Sequence, residues 1–227
     1  MPQQPIGIFG GTFDPIHVGH LRTAHELLTG LDLAEVRFVP SRLPPHRPPT
    51  LAPEALRLRM LVAALDGVPG FRVDSRELLR PGPSFMVDTL ASLRAEVGTQ
   101  PLCLLLGLDA FLGLPSWDRW REIPELAHLV VALRPGFQHR VSGQPDGEVG
   151  LLLESRATAD YRDLSRMPAG RVLMQDVTQL EISSSAIRLL VAAGGDPCFL
   201  VPDAVRELIL KTHIYANSSK EANTGAQ

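Results

Sequence analysis

Short apolar runs alternate with segments of helical periodicity along most of the chain, and this alternation limits the possible folds more than any other feature. The runs have the length of strands, and in the segments between them apolar residues recur three to four positions apart. The predicted strands are residues 6–9, 36–39, 71–73, 102–106, 129–133 and 171–174, and the predicted helices are residues 17–29, 54–64, 86–97, 184–193 and 203–210. Strands that alternate with helices form a parallel sheet with helices on both faces, so the sequence predicts an α/β fold.

The size and charge of the chain suit one domain that acts on small molecules. With 227 residues, 44% of them hydrophobic, the chain is long enough to bury a sizeable core. We expect a single domain over residues 1–215, a polar surface excursion at residues 140–150 and a disordered tail at residues 216–227. A formal net charge of −3 provides no basic field for nucleic acid, so a small anionic substrate must be held by a local cluster.

The cysteines and the most apolar segments indicate a reducing compartment and no membrane association. Cys103 and Cys198 each lie beside or within an apolar run, where a reduced, buried thiol is expected. The N-terminus lacks the features of a signal peptide, and the most apolar segment, residues 102–114, is interrupted by Asp109 and too short to span a bilayer. We therefore expect a cytoplasmic protein.

Chemistry is expected at the turn after the first strand, because ligands of parallel sheets bind at the carboxyl ends of strands. Gly10 and Gly11 allow a phosphate to approach the backbone closely. His17 and His20 stand three apart at the start of the next helix, so both imidazoles face the same place, with Gly19 leaving space between them. Glycines alone would indicate a tight turn, and histidines alone an exposed helix end. The strand, glycine turn, paired histidines and helix in this order indicate a nucleotide site.

The segment from Gly10 to His20 resembles the Gly-x-x-x-x-x-x-His-x-Gly-His signature of the nucleotidylyltransferase superfamily. More narrowly, residues 6–215 resemble the bacterial nicotinate-nucleotide adenylyltransferases. The resemblance implies a Rossmann-like nucleotidylyltransferase fold and the transfer of AMP from ATP, which brings Mg²⁺, to nicotinic acid mononucleotide. The products would be nicotinic acid adenine dinucleotide and pyrophosphate, in NAD biosynthesis.

A second motif, residues 182–188, places serines at a helix start and Arg188 within the first turns. The serines can cap the helix and leave N–H groups for phosphate oxygens, while Arg188 supplies a planar, permanently charged fork; a plain helix cap is the alternative. The motif resembles the family's Ile-Ser-x-x-x-Ile-Arg element, which implies contact with the β- and γ-phosphates of ATP. We therefore predict His17, His20 and Arg188 as catalytic residues, and an ATP site formed by Gly10, Gly11, Thr12, Phe13, His20, Gly107, Asp109, Ile182, Ser183, Ser184 and Arg188.

Gly107 and Asp109 enter this prediction because they follow a buried strand and resemble the family's Gly-x-Asp segment beside the ribose and adenine. Asp109 could accept hydrogen bonds from hydroxyl groups, or it could simply cap the helix that follows.

The acceptor side is predicted from separate segments. A proline-rich loop carries His46 and Arg47, and stiffening by prolines lowers the ordering cost of presenting them; a stiff surface loop is the alternative. The indole of Trp117 could stack on a pyridine ring, whereas Trp120 is expected to pack in the core. The family's Pro-Pro-His-Arg, Asp-Thr-Leu and Arg-Pro-Gly segments complete the predicted mononucleotide-binding residues, which are His46, Arg47, Thr89, Trp117 and Arg134.

One position departs from the family pattern. Met86 stands where the family usually has the threonine of a Ser-Tyr-Thr run. If that hydroxyl normally helps to bind the nicotinate carboxylate, backbone N–H groups must bind it here. The preference for nicotinate over nicotinamide is therefore left open.

Two other functions fit parts of the pattern. Pantetheine-phosphate adenylyltransferases have a similar first motif, but their chains are usually shorter and lack the Pro-Pro-His-Arg loop and the following tryptophan. A nucleotide sensor without turnover would keep the fold, but the intact His17, His20 and Arg188 argue against it.

Overall fold

The computed structural model describes residues 3–44, 49–133, 147–178 and 180–216, which form a parallel sheet with helices on both faces. The strands are β1 (Ile6–Gly11), β2 (Glu35–Pro40), β3 (Phe71–Val73), β4 (Leu102–Gly107), β5 (His128–Leu133), β6 (Ala157–Thr158) and β7 (Val172–Asp176). The helices are α1 (Val18–Gly30), α2 (Glu54–Leu65), α3 (Arg76–Leu79), α4 (Met86–Val97), α5 (Leu108–Leu112), α6 (Ile123–Leu126), α7 (Glu148–Arg156), α8 (Ser184–Ala192) and α9 (Asp203–Thr212). Short 3-10 helices cover Leu114–Ser116, Trp120–Glu122 and Tyr161–Ser165. The predicted α/β fold is confirmed.

The strand order determines where a ligand can bind. Within the described residues the sheet has seven strands in the order β3-β2-β1-β4-β5-β7-β6, and neighbouring strands are parallel. The chain builds outward from β1 to β3 in one direction and from β4 onward in the other, so the direction changes between β1 and β4. In open parallel sheets the crevice at the carboxyl ends of two such strands is the usual ligand site.

Each face of the sheet buries its own apolar layer, because successive side chains of a strand point to opposite faces. Leu105 and Val130 pack with residues of α1, α2, α8 and α9, whereas Leu104 and Val131 pack with residues of α4, α5, α6 and α7. Within the described ranges, no helix has the length and apolar character that are needed to cross a membrane.

Helix α7 corrects one sequence-based expectation. Residues 148–150 end the predicted surface excursion, but they belong to α7, and Val149 and Gly150 are buried. The prediction of an exposed surface segment is wrong there. Gly150 and the polar residues before it do not suggest a helix, but a short helix begins at Glu148 and packs near β6 and β7. Residues 140–146 lie outside the described residues.

The cysteines are both free thiols, but only one is fully buried. Cys103 lies inside β4 with no exposed surface, as predicted. Cys198 is only half-buried, contrary to the prediction, because it lies in the turn between α8 and α9 rather than in a strand.

Candidate active site

A cavity of about 1100 Å³ opens at the carboxyl ends of β1 and β4. It gathers most of the predicted site residues, from segments far apart in the sequence. Those that line it are Gly10, Gly11, Thr12, His17, His20, Gly107, Asp109, Trp117, Ile182, Ser183, Ser184 and Arg188. Both predicted phosphate motifs therefore face one space.

His17 is the N-cap of helix α1, and this role fixes its imidazole. Its backbone is extended (φ −145°, ψ 168°), and its Nδ1 accepts the His20 N–H at 3.3 Å. Burial lowers the pKa of His17 to about 4, so the ring is neutral at physiological pH. A neutral imidazole that accepts at Nδ1 carries its proton on Nε2, so His17 presents an N–H donor.

The second histidine lies directly on the first. The rings of His17 and His20 are stacked with centroids 3.6 Å apart and an interplanar angle of 25°. A Cβ atom at Gly19 would come within 3.1 Å of the His17 Nδ1 atom, so a larger residue there would press on the His17 ring. The Phe13 ring supports His20 edge-on at 5.3 Å. Phe13 itself is buried, so its side chain belongs to the core rather than to the cavity lining.

The amides at the start of α1 contribute less to anion binding than the sequence suggests. The Val18 N–H already donates to the Leu200 carbonyl at 2.9 Å, and the His20 N–H is held by His17. Two of the first amides of α1 are therefore already used within the protein, and the His17 Nε2–H is a directional donor at this helix start.

The two glycines of the turn make room for protein side chains as well as for a ligand. A Cβ atom at Gly10 would lie 2.6 Å from the Met86 Cε atom, and one at Gly11 would lie 3.0 Å from the Phe13 ring. Met86 thus packs against β1 and lines the cavity where the family usually carries a hydroxyl.

The second motif is hydrogen-bonded directly to the first. Ser183 caps α8 by accepting the Ala186 N–H at 3.1 Å, and the Ser184 hydroxyl donates to the Pro15 carbonyl at 2.9 Å. Arg188 donates from Nη1 to the Asp14 carbonyl at 2.8 Å, and its side chain remains part of the cavity lining. The start of α8 is therefore held against the loop that precedes α1.

The loop that precedes α1 is also held by buried polar groups that the sequence analysis did not identify. The Asp14 carboxylate accepts the Leu51 N–H at 2.7 Å, the Ala52 N–H at 3.1 Å and the Tyr215 hydroxyl at 2.6 Å. Arg57 is completely buried in α2 and donates to the Thr12 carbonyl at 2.6 Å. The sequence signal for Arg57 is weak, because the same helix also carries Glu54 and Arg59.

Of the residues predicted to contact the adenosine and the acceptor, some line the cavity, one is buried beside it, and some lie outside the described residues. Asp109 is exposed in the cavity, and because Gly107 is the N-cap of α5, the capping alternative for Asp109 is excluded. Trp117 is half-buried at the cavity, while Trp120 packs in the core as expected. Three predicted acceptor residues lie outside the described residues; they are His46, Arg47 and Arg134.

Thr89 does not reach the cavity. Its side chain is completely buried, and its hydroxyl donates to the Glu77 carboxylate at 2.6 Å. Glu77 itself is 3% exposed and lines the cavity, although nothing in its local sequence pattern marks it. The structure thus gives Thr89 a supporting position, because helical periodicity turns it toward the sheet.

A cavity at the direction change of a parallel sheet, with two phosphate-type helix starts, defines a nucleotide-binding α/β protein. Residues 8–190 match the family described as cytidylyltransferase-like. A protein of Methylococcus capsulatus, named probable nicotinate-nucleotide adenylyltransferase, is 49% identical over 93% of this chain and 99% of its own length. A protein of Aeromonas hydrophila with the same name is 46% identical over 95% of this chain and 99% of its length. The chain therefore belongs to the cytidylyltransferase-like family and, within it, to the nicotinate-nucleotide adenylyltransferase group.

Solved structures agree on the fold. Plasmodium falciparum nicotinic acid mononucleotide adenylyltransferase, complexed with NaAD, superimposes with a TM-score of 0.67 over 93% of this chain and 97% of that chain, at 17% sequence identity. The same enzyme complexed with APC gives a TM-score of 0.65 at 18% identity, over 93% of this chain and 97% of that one.

Proposed function

We propose that this protein transfers AMP from Mg-ATP to nicotinic acid mononucleotide, giving nicotinic acid adenine dinucleotide and pyrophosphate. The observation that carries the proposal is the direct joining of the two phosphate motifs, in which Arg188 donates to the Asp14 carbonyl in the loop before His17. The name of the relatives that match nearly the whole chain supports a pyridine mononucleotide as the acceptor.

The reaction needs no covalent intermediate. A phosphate oxygen of the mononucleotide forms a bond to the α-phosphorus of ATP, while the bond from that phosphorus to the bridging oxygen of pyrophosphate breaks. Both reactants are anions, so catalysis rests on positioning and on neutralising charge.

The two motifs divide this work. His17 is neutral, and together with His20 it offers fixed N–H donors to charge that develops at the α-phosphate. Arg188 brings the permanent positive charge that the departing pyrophosphate requires. Mg²⁺ enters as part of the Mg-ATP substrate; the described residues contain no group of three or more His, Cys, Asp or Glu side chains suited to holding a metal.

The rest of the cavity suits the two nucleosides. Asp109 is placed to accept hydrogen bonds from ribose hydroxyls, and the indole of Trp117 offers a face to a pyridine ring. Helix α4 begins at Met86 without a side-chain cap, so its first N–H groups and the positive end of its dipole favour the carboxylate of nicotinate over the neutral amide.

Two substitutions at His17 separate catalysis from capping. Asparagine is a good N-cap and keeps an acceptor for the His20 N–H, but it removes the imidazole donor. We expect His17→Asn to keep the stability of the wild type and to lower kcat by about 10²–10³. His17→Ala should lose activity to a similar extent and also lose about 1 kcal/mol of stability. Turnover near that of the wild type in both variants would refute the catalytic role.

One assay decides between the proposed function and its rivals. Pyrophosphate release is measured with Mg-ATP and, in turn, nicotinic acid mononucleotide, nicotinamide mononucleotide and phosphopantetheine. The proposal requires the highest kcat/KM with nicotinic acid mononucleotide. Release only with phosphopantetheine would indicate the other adenylyltransferase, and no release with any acceptor would indicate a nucleotide sensor.

A further inference from the structure

Ser41 lies at the carboxyl end of β2, beside the glycine turn of β1. Its N–H donates to the Gly11 carbonyl at 2.9 Å, and its own carbonyl accepts Arg57 Nη2 at 2.7 Å. Both backbone groups are therefore held. The residue is 8% exposed and lines the cavity.

The segment that follows Ser41 is also fixed by hydrogen bonds. The N–H groups of Arg42 and Leu43 donate to the Ser84 Oγ atom at 2.9 and 3.3 Å. The buried Glu77 carboxylate, which also lines the cavity, accepts the Thr89 hydroxyl at 2.6 Å. The backbone N–H groups of Ser41, Arg42 and Leu43 are therefore all hydrogen-bonded within the protein.

The Ser41 hydroxyl is the exception. Among the described residues, its Oγ atom has no hydrogen-bond partner, although it is buried. An unsatisfied buried hydroxyl typically costs about 1–3 kcal/mol, so such groups are rare in native proteins and usually have a partner such as an ordered water, an ion or a ligand. A serine hydroxyl turns on a single bond, so it can reach a ligand in the adjoining cavity without any movement of the backbone.

The position of Ser41 indicates which part of the ligand its hydroxyl would contact. The glycine turn and His17 lie where the α-phosphate of ATP must react, and Ser41 is bonded to that turn from the β2 side. Arg188 and Ser183 reach the cavity through the α8 motif, which is bonded to Asp14 and Pro15 rather than to the glycine turn. The attacking and leaving oxygens lie in line at the α-phosphorus, so the acceptor phosphate approaches from the side opposite the pyrophosphate that Arg188 binds, where Ser41 is available to it.

We propose that the Ser41 hydroxyl binds the phosphate of the acceptor mononucleotide and holds its attacking oxygen beside the α-phosphate of ATP. This inference rests on the proposed function, because it presumes a phosphorylated acceptor. It assigns to Ser41 a binding role that is separate from those of His17, His20 and Arg188.

The test uses Ser41→Ala, with Ser155→Ala as the matched control. Ser155 is a serine of α7 whose hydroxyl donates to the Leu151 carbonyl. Loss of one hydrogen bond to a charged phosphate should raise KM for nicotinic acid mononucleotide about tenfold or more, while KM for Mg-ATP stays within about twofold. The unfolding midpoint of Ser41→Ala should equal or exceed that of the wild type, because the substitution removes an unsatisfied buried group.

A second experiment tests whether Ser41 contacts the phosphate of the mononucleotide or its ribose. The riboside of nicotinic acid lacks the phosphate, so its inhibition constant should be the same in the wild type and in Ser41→Ala. A rise in that constant would overturn the assignment to the phosphate. Ser41→Cys keeps the size of the side chain with a weak donor, and it should show the same selective loss.

The inference fails if Ser41→Ala leaves KM for the mononucleotide unchanged, or if both KM values rise equally. It also fails if the variant loses stability while its KM values do not change, since the hydroxyl would then be structural. Pyrophosphate release by the wild type is measured in the same series. Its absence would refute the proposed function, whereas an active wild type with an unaffected Ser41→Ala would refute only the role of Ser41.

Discussion

Replacing Tyr215 by phenylalanine tests whether its buried hydrogen bond to Asp14 stabilises the loop that precedes α1. The Tyr215 hydroxyl donates to the Asp14 Oδ1 atom at 2.6 Å, and the two residues are 4% and 3% exposed. Burial and the adjacent Asp14 carboxylate both raise the pKa of Tyr215, so the phenol stays protonated and remains a donor. The substitution Tyr215→Phe removes this hydrogen bond but keeps the ring in place.

The size of the effect follows from the partners that remain. A hydrogen bond to a charged group contributes about 1.5–3 kcal/mol, and Asp14 keeps the amides of Leu51 and Ala52. We therefore expect a loss of about 2 kcal/mol, which for a protein of this length lowers Tm by roughly 4–8 °C.

Thermal and urea unfolding measure the loss. Tyr161→Phe is the matched control, because the Tyr161 side chain is 38% exposed and its replacement should change stability by less than about 0.5 kcal/mol. If Tyr215→Phe unfolds together with the wild type, the buried hydrogen bond does not stabilise the loop, and the reasoning is refuted.

Two further predictions follow from burial. Burial lowers the pKa of His17 from an ordinary value of 6.5 to about 4, and it also lowers the pKa of His128. Below pH 6.5 these histidines take up protons more readily in the unfolded chain than in the folded protein. The folded protein is therefore fully stable with respect to both groups above pH 6.5, and it loses stability as the pH falls toward the lowered pKa values. The free energy of unfolding should drop by about 3 kcal/mol between pH 6.5 and 4 on account of His17 alone, and His17→Asn should show a correspondingly smaller drop in urea titrations; equal slopes would contradict the assignment. Cys103 is fully buried with a raised pKa, whereas Cys198 is half-buried, so a thiol reagent should modify one thiol of the native protein quickly and the second only after unfolding; two fast thiols would show that β4 opens readily.

The fold could be predicted because its signals are local. Each strand except the short β6 and each longer helix except α7 shows its own period of apolar residues, and the order of elements is enough to indicate a parallel sheet. The two phosphate motifs are equally local, since each sits at a single helix start. The roles predicted for His46, Arg47 and Arg134, the binding of Mg²⁺, the cytoplasmic location and the disordered tail stay predictions.

The supporting groups could not be predicted, because their partners are distant in the sequence. Asp14 and Tyr215 are 201 positions apart, and no periodicity links them. Thr89 illustrates the same limit. Its motif predicted contact with the mononucleotide, but its hydroxyl donates to Glu77, which lies in a helix only four residues long.

In the proposed reaction, one motif supplies directional hydrogen bonds and the other supplies positive charge, so we expect both motifs to be needed. His17 is neutral because it is buried beneath a stacked ring, so it can aim a hydrogen bond but cannot balance the charge of a triphosphate. Arg188 carries the charge, and its hydrogen bond to the Asp14 carbonyl ties it to the loop that positions His17. Because 174 positions separate these two bonded residues, the site forms only after α8 has docked against the loop that precedes α1. A partly folded chain that lacks this docking would have directional donors without the charge, and it should bind Mg-ATP weakly and release no pyrophosphate.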